Sequence, residues 1–230
     1  MQGELPTVWT YGFYVLIVWG LSALLVGFRL LAGSDRLALR LRIGAFVWLG
    51  VPAVLAASGW FADFEARPPL LMRVLLPMVG VIIAFAFSPW GGWSAQRLPF
   101  SFLIGTQLFR LPLELLLFAL ATRGFLPKEM TFAGYNYDIL TGASAGLFWY
   151  FLRRGELPAL ALWAWNVLGF LALVTVVTIA VLAFPQFGWF TPPNELVAHY
   201  PWVWLPGFLV PLALLGHLLV LRKLLLRAEE

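Results

Sequence analysis

Three polar side chains interrupt an apolar stretch near the middle of the chain. Gln107, Arg110 and Glu114 fall within an arc of about 60° if this stretch is a helix, so they form one polar stripe. Arg110 and Glu114 are four residues apart and can pair with each other. Such side chains can bind an ion or solute or pass a proton, or they can hold neighbouring helices in register. The residues alone leave both alternatives open.

The energy of burying this stretch in lipid decides which way the stripe points. Thirteen Leu, Ile or Phe residues lie between Phe100 and Leu120. Each contributes roughly −0.3 to −0.6 kcal/mol to membrane insertion, whereas a central Arg costs about 2.5 to 3.5 kcal/mol. With Glu114 charged as well, the free energy of inserting this stretch into the membrane is close to zero. We therefore expect the stripe to face the interior of a bundle, where other helices supply partners.

Further polar groups lie in two other apolar stretches. Asn136 and Asp138 stand at the start of one, where either side chain could cap a helix. Alternatively, they belong to a vestibule above Glu114. His217 is the one histidine within an apolar stretch, and it lacks a second embedded histidine as a metal partner. We therefore predict no metal site and place His217 in the polar cavity, together with Gln107, Arg110, Glu114, Asn136 and Asp138.

A glycine-rich segment matches two different patterns. Gly142 and Gly146 form a Gly-x-x-x-Gly face, which lets helices approach closely. With Ser144 between them, the segment also matches the Gly-x-Ser-x-Gly elbow of hydrolases, but that motif needs a strand–turn–helix context that this sequence lacks. Ser144 and His217 are expected at depths roughly 6–10 Å apart. We assign no catalytic residue, and an intramembrane hydrolase remains a remote alternative.

The composition identifies the solvent of the fold. Of 230 residues, 62% are hydrophobic and 11% are charged, whereas soluble domains are about 25% charged. So much apolar surface requires lipid around it. The absence of cysteine excludes disulfides and thiolate metal sites. No nucleotide or zinc motif is present, and we expect no cofactor and no nucleic-acid partner.

The stretches long enough to cross a bilayer predict the architecture. A hydrocarbon core of about 30 Å needs roughly 20 apolar residues in a helix. The sequence predicts one transmembrane domain over residues 1–230, an all-α bundle of seven transmembrane helices. The predicted spans are 9–31, 43–62, 70–88, 99–122, 136–153, 158–184 and 202–223.

The distribution of cations predicts the orientation. Lys and Arg accumulate in cytoplasmic loops. With the N-terminus outside and the C-terminus in the cytoplasm, ten cations lie inside and four outside, and Arg110 lies within a span. Glu4 falls on the outer side, and no basic segment precedes the first apolar run, so we predict an uncleaved span there. The inner cations are Arg29, Arg36, Arg40, Arg42, Arg97, Arg153, Arg154, Arg222, Lys223 and Arg227; the outer ones are Arg67, Arg73, Arg123 and Lys128.

Prolines and tryptophans add detail to the predicted spans. Prolines inside a span remove a backbone donor and free a carbonyl one turn earlier, so we expect kinks at Pro52, Pro77, Pro112 and Pro211. Tryptophans near the span ends predict an aromatic belt at the membrane surfaces. These tryptophans are Trp9, Trp60, Trp90, Trp93, Trp189, Trp202 and Trp204.

Three segments carry a resemblance to known sequences. They are Gln107-x-x-Arg110-x-Pro-x-Glu114, the run 130–142 (MTFAGYNYDILTG), and Ala164-Trp165-Asn166 with residues 201–217. Together they resemble a group of small, uncharacterised multi-pass proteins of the bacterial inner membrane, over about residues 107–217. The resemblance implies an inner-membrane location and gives no activity.

Three functions are compatible with these features. The first is transport of a small solute, ion or proton through a polar cavity around span four, with Glu114 as the titrating or coupling group. The second is a non-catalytic membrane subunit or assembly factor, in which the polar stripe only orders the bundle. The third is the intramembrane hydrolase. The expected partners are membrane lipids, a small solute or ion, and other membrane proteins.

Overall fold

A computed structural model describes residues 5–155 and 157–228. Glu4 and Glu156 therefore lie outside the described residues, together with the expectation that Glu4 faces outward. The described part contains α-helices and short 3₁₀ and π turns, and no strand. The helices are α1 (Thr7–Leu31), α2 (Asp35–Ala57), α3 (Leu70–Phe87), α4 (Pro89–Arg97), α5 (Phe100–Gly105), α6 (Arg110–Thr122), α7 (Asp138–Arg154), α8 (Ala159–Leu182) and α9 (Val210–Ala228).

Six helical stretches are long and apolar enough to cross a membrane. They are α1, α2, α3, the run Phe100–Thr122 that joins α5 to α6, α8, and the run Leu205–Ala228 that contains α9. Helix α7 coincides with the fifth predicted span but has only 17 residues. The all-helical class is confirmed, and the described chain has six membrane-length helices.

The predicted limits of the second span differ most from the structure. Helix α2 begins at Asp35, eight residues before the predicted position, because Ser34 caps it by accepting the N–H of Leu37 at 3.3 Å. It ends early because Gly59 follows in the left-handed conformation, with φ of 77°. Apolar composition locates the buried part of a helix, whereas caps determine where the helix begins and ends.

A segment that resembles a turn in sequence forms the short helix α4. Ser88 accepts the N–H of Gly91 at 3.2 Å, and Pro89 occupies the first helical position. Serine at the N-cap followed by proline is a favourable start for a helix. Helix α4 packs against α9, so the connection between α3 and α5 is part of the bundle.

The irregular backbone of the spans lies close to prolines. A 3₁₀ turn, Thr106–Phe109, separates α5 from α6 just before Pro112. A π turn, Leu205–Leu209, precedes α9 and its Pro211. Because Pro211 has no N–H, the carbonyl of Gly207 is free to accept a hydrogen bond from the indole Nε1 of Trp48, at 2.8 Å. This contact joins α2 to the last span.

Helix α9 is the centre of the bundle. Helices α3, α4, α5 and α8 pack against it, while α1 and α2 contact the preceding π turn. The apolar part of Leu205–Ala228 is 56% buried and that of Phe100–Thr122 is 50% buried, against at most 28% for the other four membrane-length stretches. The two most enclosed stretches therefore carry four of the six predicted polar side chains, Gln107, Arg110, Glu114 and His217.

The outer helices present apolar side chains to their surroundings. Exposed valines and leucines such as Val15, Val54, Leu76 and Leu168 lie on α1, α2, α3 and α8. A surface of this kind suits contact with lipid. The predicted aromatic belt is wrong at one position, since the side chain of Trp202 is buried and stacks on Phe13 with ring centroids 4.5 Å apart.

Candidate functional site

All six residues of the predicted polar cavity are buried in one region. None exposes more than 3% of its surface, and Arg110 is fully enclosed. They come from the 3₁₀ turn before α6, from α6 itself, from the segment before α7, and from α7 and α9. The stripe on span four therefore faces the interior, as expected. The six are Gln107, Arg110, Glu114, Asn136, Asp138 and His217.

The ion pair of the site differs from the one suggested by sequence spacing. Arg110 pairs with Asp138 and not with Glu114. Its Nε donates to Oδ2 of Asp138 at 2.6 Å, and its Nη2 donates to Oδ1, so the contact is bidentate. A bidentate arginine–carboxylate contact is stronger and more directional than a single hydrogen bond. The expected pairing within span four is therefore wrong, because a partner on another helix offers better geometry.

Glycine in α7 makes this pairing possible. A Cβ atom on Gly142 would meet the backbone nitrogen of Leu111, the residue after Arg110. A Cβ on Gly146 would lie 2.9 Å from Cδ1 of Leu108. The backbones of α7 and span four thus approach closely at the level of Arg110. The expectation that Gly142 and Gly146 form a close-packing face is confirmed.

His217 takes one defined protonation form in this network. Nη1 of Arg110 lies 2.7 Å from its Nε2, and an arginine can only donate, so Nε2 is an unprotonated acceptor. The proton is then on Nδ1, which donates to Oδ1 of Asn166 at 3.0 Å. His217 is therefore neutral, and both of its ring nitrogens are occupied.

Gln107 connects the arginine to the backbone of the central helix. Its Oε1 accepts from Nη1 of Arg110 at 3.4 Å, and its Nε2 donates to the carbonyl of Ala213 at 3.3 Å. A Cβ on Gly216 would collide with that amide nitrogen. Because Gly216 has no side chain, α9 leaves space for the amide of Gln107.

Glu114 has a different environment from Arg110. Its Oε2 accepts from Nδ2 of Asn136 at 2.7 Å. Asn136 also donates to the carbonyl of Met130 at 2.9 Å, and its Oδ1 accepts the N–H of Asp138 at 2.9 Å. Asn136 therefore holds the turn that leads into α7 and also contacts Glu114.

The charges of the cluster do not cancel if both carboxyl groups are ionised. Arg110 is balanced by Asp138, and His217 is neutral. Within residues 5–155 and 157–228, no Lys, Arg or His side chain forms an ion pair with Glu114. Its Oε1 makes no hydrogen bond to another group in the described chain. One carboxyl group in the cluster therefore lacks a compensating cation.

A cavity between the helices reaches this carboxyl group. Its volume is about 150 Å³, and Arg110, Glu114 and Asp138 form its polar end. The remaining wall is apolar except for Asn194, and most of it comes from α3, α6, α8 and the last span, with Leu76, Leu113 and other aliphatic side chains. The site is thus an apolar chamber with charged groups at one end.

The serine of the hydrolase-like motif is not arranged for catalysis with His217. The hydroxyl of Ser144 donates to the carbonyl of Leu140 at 2.6 Å and accepts from Nε1 of Trp165 at 2.9 Å. The ring of Trp165 also lies against His217, with centroids 5.4 Å apart. A nucleophile needs a base within hydrogen-bond reach, and both nitrogens of His217 are engaged elsewhere.

Two further polar residues take part in the polar interior. Asn166 lies inside an apolar span and accepts a hydrogen bond from His217 on another helix. Lys223 was counted among the cytoplasmic cations, yet it is buried. Its ammonium donates to the carbonyls of Ala95, Gln96 and Leu98 at 2.8 to 3.0 Å, which satisfies the end of α4.

No group of three or more His, Cys, Asp or Glu side chains is placed to hold a metal ion in the part of the chain that the structure describes. His199, the second histidine, is exposed and packs against Phe64 at 6.5 Å between ring centroids.

Comparisons with known proteins place the chain in one family and give no activity. No curated protein and no solved structure matches it. The model of a domain of unknown function, DUF8737, matches residues 68–225, which include α3 to α8, most of α9 and every residue of the polar cluster. Since that match covers more than half of the chain, the protein belongs to the DUF8737 family.

Proposed function

We propose that the chain crosses the bacterial inner membrane seven times, with its N-terminus outside and its C-terminus in the cytoplasm. The six membrane-length helices and the cation distribution support this topology. Helix α7, the fifth span in chain order, is added to the six membrane-length helices. Its 17 residues extend about 25 Å, and the folded segment before Asp138 fills the remaining depth.

Cysteine labelling tests the topology, because the natural chain has no cysteine. Lys128 and Arg154 are exposed and flank α7. In intact cells, a membrane-impermeant maleimide is expected to label Lys128→Cys, and to label Arg154→Cys only after permeabilisation. Equal labelling of both variants in intact cells would exclude α7 as a span.

We propose that the protein moves a proton, or a small solute together with a proton, across this membrane. The observation that carries the proposal is the carboxyl group of Glu114, which is buried, lines a cavity and lacks a cationic partner in the described chain. Ionisable groups in such positions occur in proton relays and transport pathways. An unpaired charge in an apolar site is costly, so this carboxyl group is suited to exchange a proton or bind a cation.

The rest of the cluster positions this group. Asn136 holds Oε2 of Glu114 and also the first turn of α7. Asp138 and His217 occupy the guanidinium of Arg110, which leaves Glu114 without that counter-charge. A movement of α7 relative to span four would change both contacts together. Glu114 is therefore the group whose protonation can be coupled to a change in helix packing.

Proton flux into proteoliposomes tests this function. With a potassium diffusion potential imposed, a trapped pH-sensitive dye is expected to report faster acidification with the wild-type protein than with protein-free vesicles. Glu114→Gln should reduce the protein-dependent rate about tenfold or more, because the amide cannot take up the proton. Glu65→Gln, which alters an exposed carboxyl group, is the matched control. Equal rates for wild type and Glu114→Gln would reject the role of Glu114.

A second function is favoured by the part of the cluster around Arg110, in which the side chains pair with one another. Arg110, Asp138, Gln107 and His217 satisfy one another, as expected for groups that only fix helix packing. A non-catalytic membrane subunit or assembly factor needs no more than this. It predicts a larger complex after gentle extraction, and no protein-dependent flux in the vesicle assay. A solitary monomer with Glu114-dependent flux would exclude it.

A further inference from the structure

We propose that the cavity beside Glu114 binds a small apolar molecule that carries a single ammonium group and enters from the bilayer between α3 and α8. This proposal rests on the site of the proposed function and names its ligand class. It depends on four features of the cavity: volume, wall, charge and opening.

The volume suits a ligand of limited size. An apolar cavity of about 150 Å³ is large enough for a benzene-sized group. It is too small for the acyl chain of a membrane lipid, because one acyl chain has more than twice as many carbons as a benzene ring. The ligand class is therefore a single ring or short branched chain.

The wall selects an apolar body. Leu113 and Leu117 of α6, Leu173 and Val176 of α8, and Leu209 of the π turn all line the cavity. Aliphatic side chains of this kind offer no hydrogen bond to a polar solute, so they favour an apolar group. Inorganic ions and sugars do not fit these walls.

The polar end selects the charge of the ligand. Arg110 and Asp138 already form a neutral pair there, and Glu114 is the remaining ionisable group. An ammonium group beside Glu114 would supply the missing counter-charge and donate to the free Oε1. An anionic ligand would face an additional negative group, because Arg110 is engaged with Asp138.

The opening lies in the lipid-facing side of the bundle. Helices α3 and α8 both pack against α9, and the cavity is lined by residues of both. Leu76 of α3 belongs to this lining, yet 61% of its surface is exposed. The cavity therefore reaches the surface of the bundle between α3 and α8, in the apolar part of both helices, and the entering molecule comes from lipid.

A pair of matched probes tests the proposal. Benzylamine and benzyl alcohol have the same ring and nearly the same shape, but only the amine is cationic at neutral pH. Binding to the protein in lipid nanodiscs is measured by saturation-transfer NMR, with empty nanodiscs as background. The wild type is expected to bind benzylamine more tightly than benzyl alcohol. Glu114→Gln should weaken benzylamine binding about tenfold or more and leave benzyl alcohol unchanged.

A second variant locates the binding site. Val176→Phe places a ring in the cavity and should abolish binding of both probes, whereas Glu65→Gln should alter neither. If Val176→Phe does not fold, the comparison of probes in Glu114→Gln still decides the matter. Equal benzylamine affinity in wild type and Glu114→Gln, or no benzylamine binding to the wild type, would overturn the proposal.

The result is separable from the proton-flux assay. Binding that depends on Glu114 without proton flux would support this ligand class and contradict the transport function. Proton flux that depends on Glu114 without benzylamine binding would support transport and contradict the ligand class.

Discussion

The two ends of the buried polar cluster are built in opposite ways. At one end, Arg110 is held by Asp138, Gln107 and His217, and every nitrogen of its guanidinium meets a partner. At the other end, Glu114 has one hydrogen bond in the described chain, from the amide of Asn136, and borders the cavity. Both ends are equally buried, so burial alone does not distinguish them.

The difference shows which charge the fold needs. A buried charge is tolerated when it is paired and fully hydrogen-bonded, and removing one partner leaves the other uncompensated. Arg110 and Asp138 satisfy that condition and join span four to α7. Glu114 does not, and helix packing gives no reason for its charge. The first end therefore accounts for helix packing, and the second end is the part of the cluster on which the proposed function depends.

Asp138→Asn is expected to have the largest effect on stability. The substitution preserves the shape of the side chain but leaves the guanidinium of Arg110 buried without its counter-charge. Loss of one partner of a buried pair costs about 3–5 kcal/mol. The free energy of unfolding, measured in bicelles by steric trapping, should fall by that amount.

A double variant checks the reason for this loss. Asp138→Leu combined with Arg110→Met removes both charges, and replacement of a complete buried pair by apolar residues is often neutral or stabilising. The double variant should recover most of the stability that Asp138→Asn loses. A double variant as unstable as the single one would show that the pair is not the main contribution.

Glu114→Gln is expected to have the smallest effect on stability. Its carbonyl oxygen can still accept from Asn136, and no cation loses a partner. The change in unfolding free energy should therefore stay below about 1 kcal/mol, the scale of one net hydrogen bond. The same steric-trapping measurement applies. A loss similar to that of Asp138→Asn would remove the distinction between the two ends and favour a purely structural cluster.

The polar residues of the site were predictable because lipid restricts them. In an apolar span, a charged stripe must turn inward, so Gln107, Arg110 and Glu114 were placed correctly in the interior. Their partners were not predictable. The spacing of Arg110 and Glu114 fits an ion pair within one helix. Arg110 instead pairs with Asp138, which is 28 positions away and lies on another helix. Sequence spacing describes one helix and cannot compare it with its neighbours.

The order of the apolar helical stretches followed from composition, whereas the number of membrane-length helices and the junctions between them did not. Helix α4 depends on the cap formed by Ser88 and Pro89, and the early start of α2 depends on Ser34. Trp202 near a span end resembled a belt residue, but it stacks on Phe13 in the core. Local hydrogen bonds determine these helix limits, and aromatic packing determines the position of Trp202. A hydropathy profile carries no information on either interaction.

The sequence by itself determined that this chain is a helical protein with membrane-length apolar stretches and an inward-facing polar stripe. Those conclusions depend on the free-energy cost of exposing polar groups to hydrocarbon. This cost applies to each stretch on its own, so the sequence of that stretch is enough to predict it. Only the tertiary structure decided that Arg110 is neutralised by Asp138 while Glu114 remains open to a cavity. That outcome depends on the close approach of α7 at Gly142, and on which side chains then lie within hydrogen-bond distance.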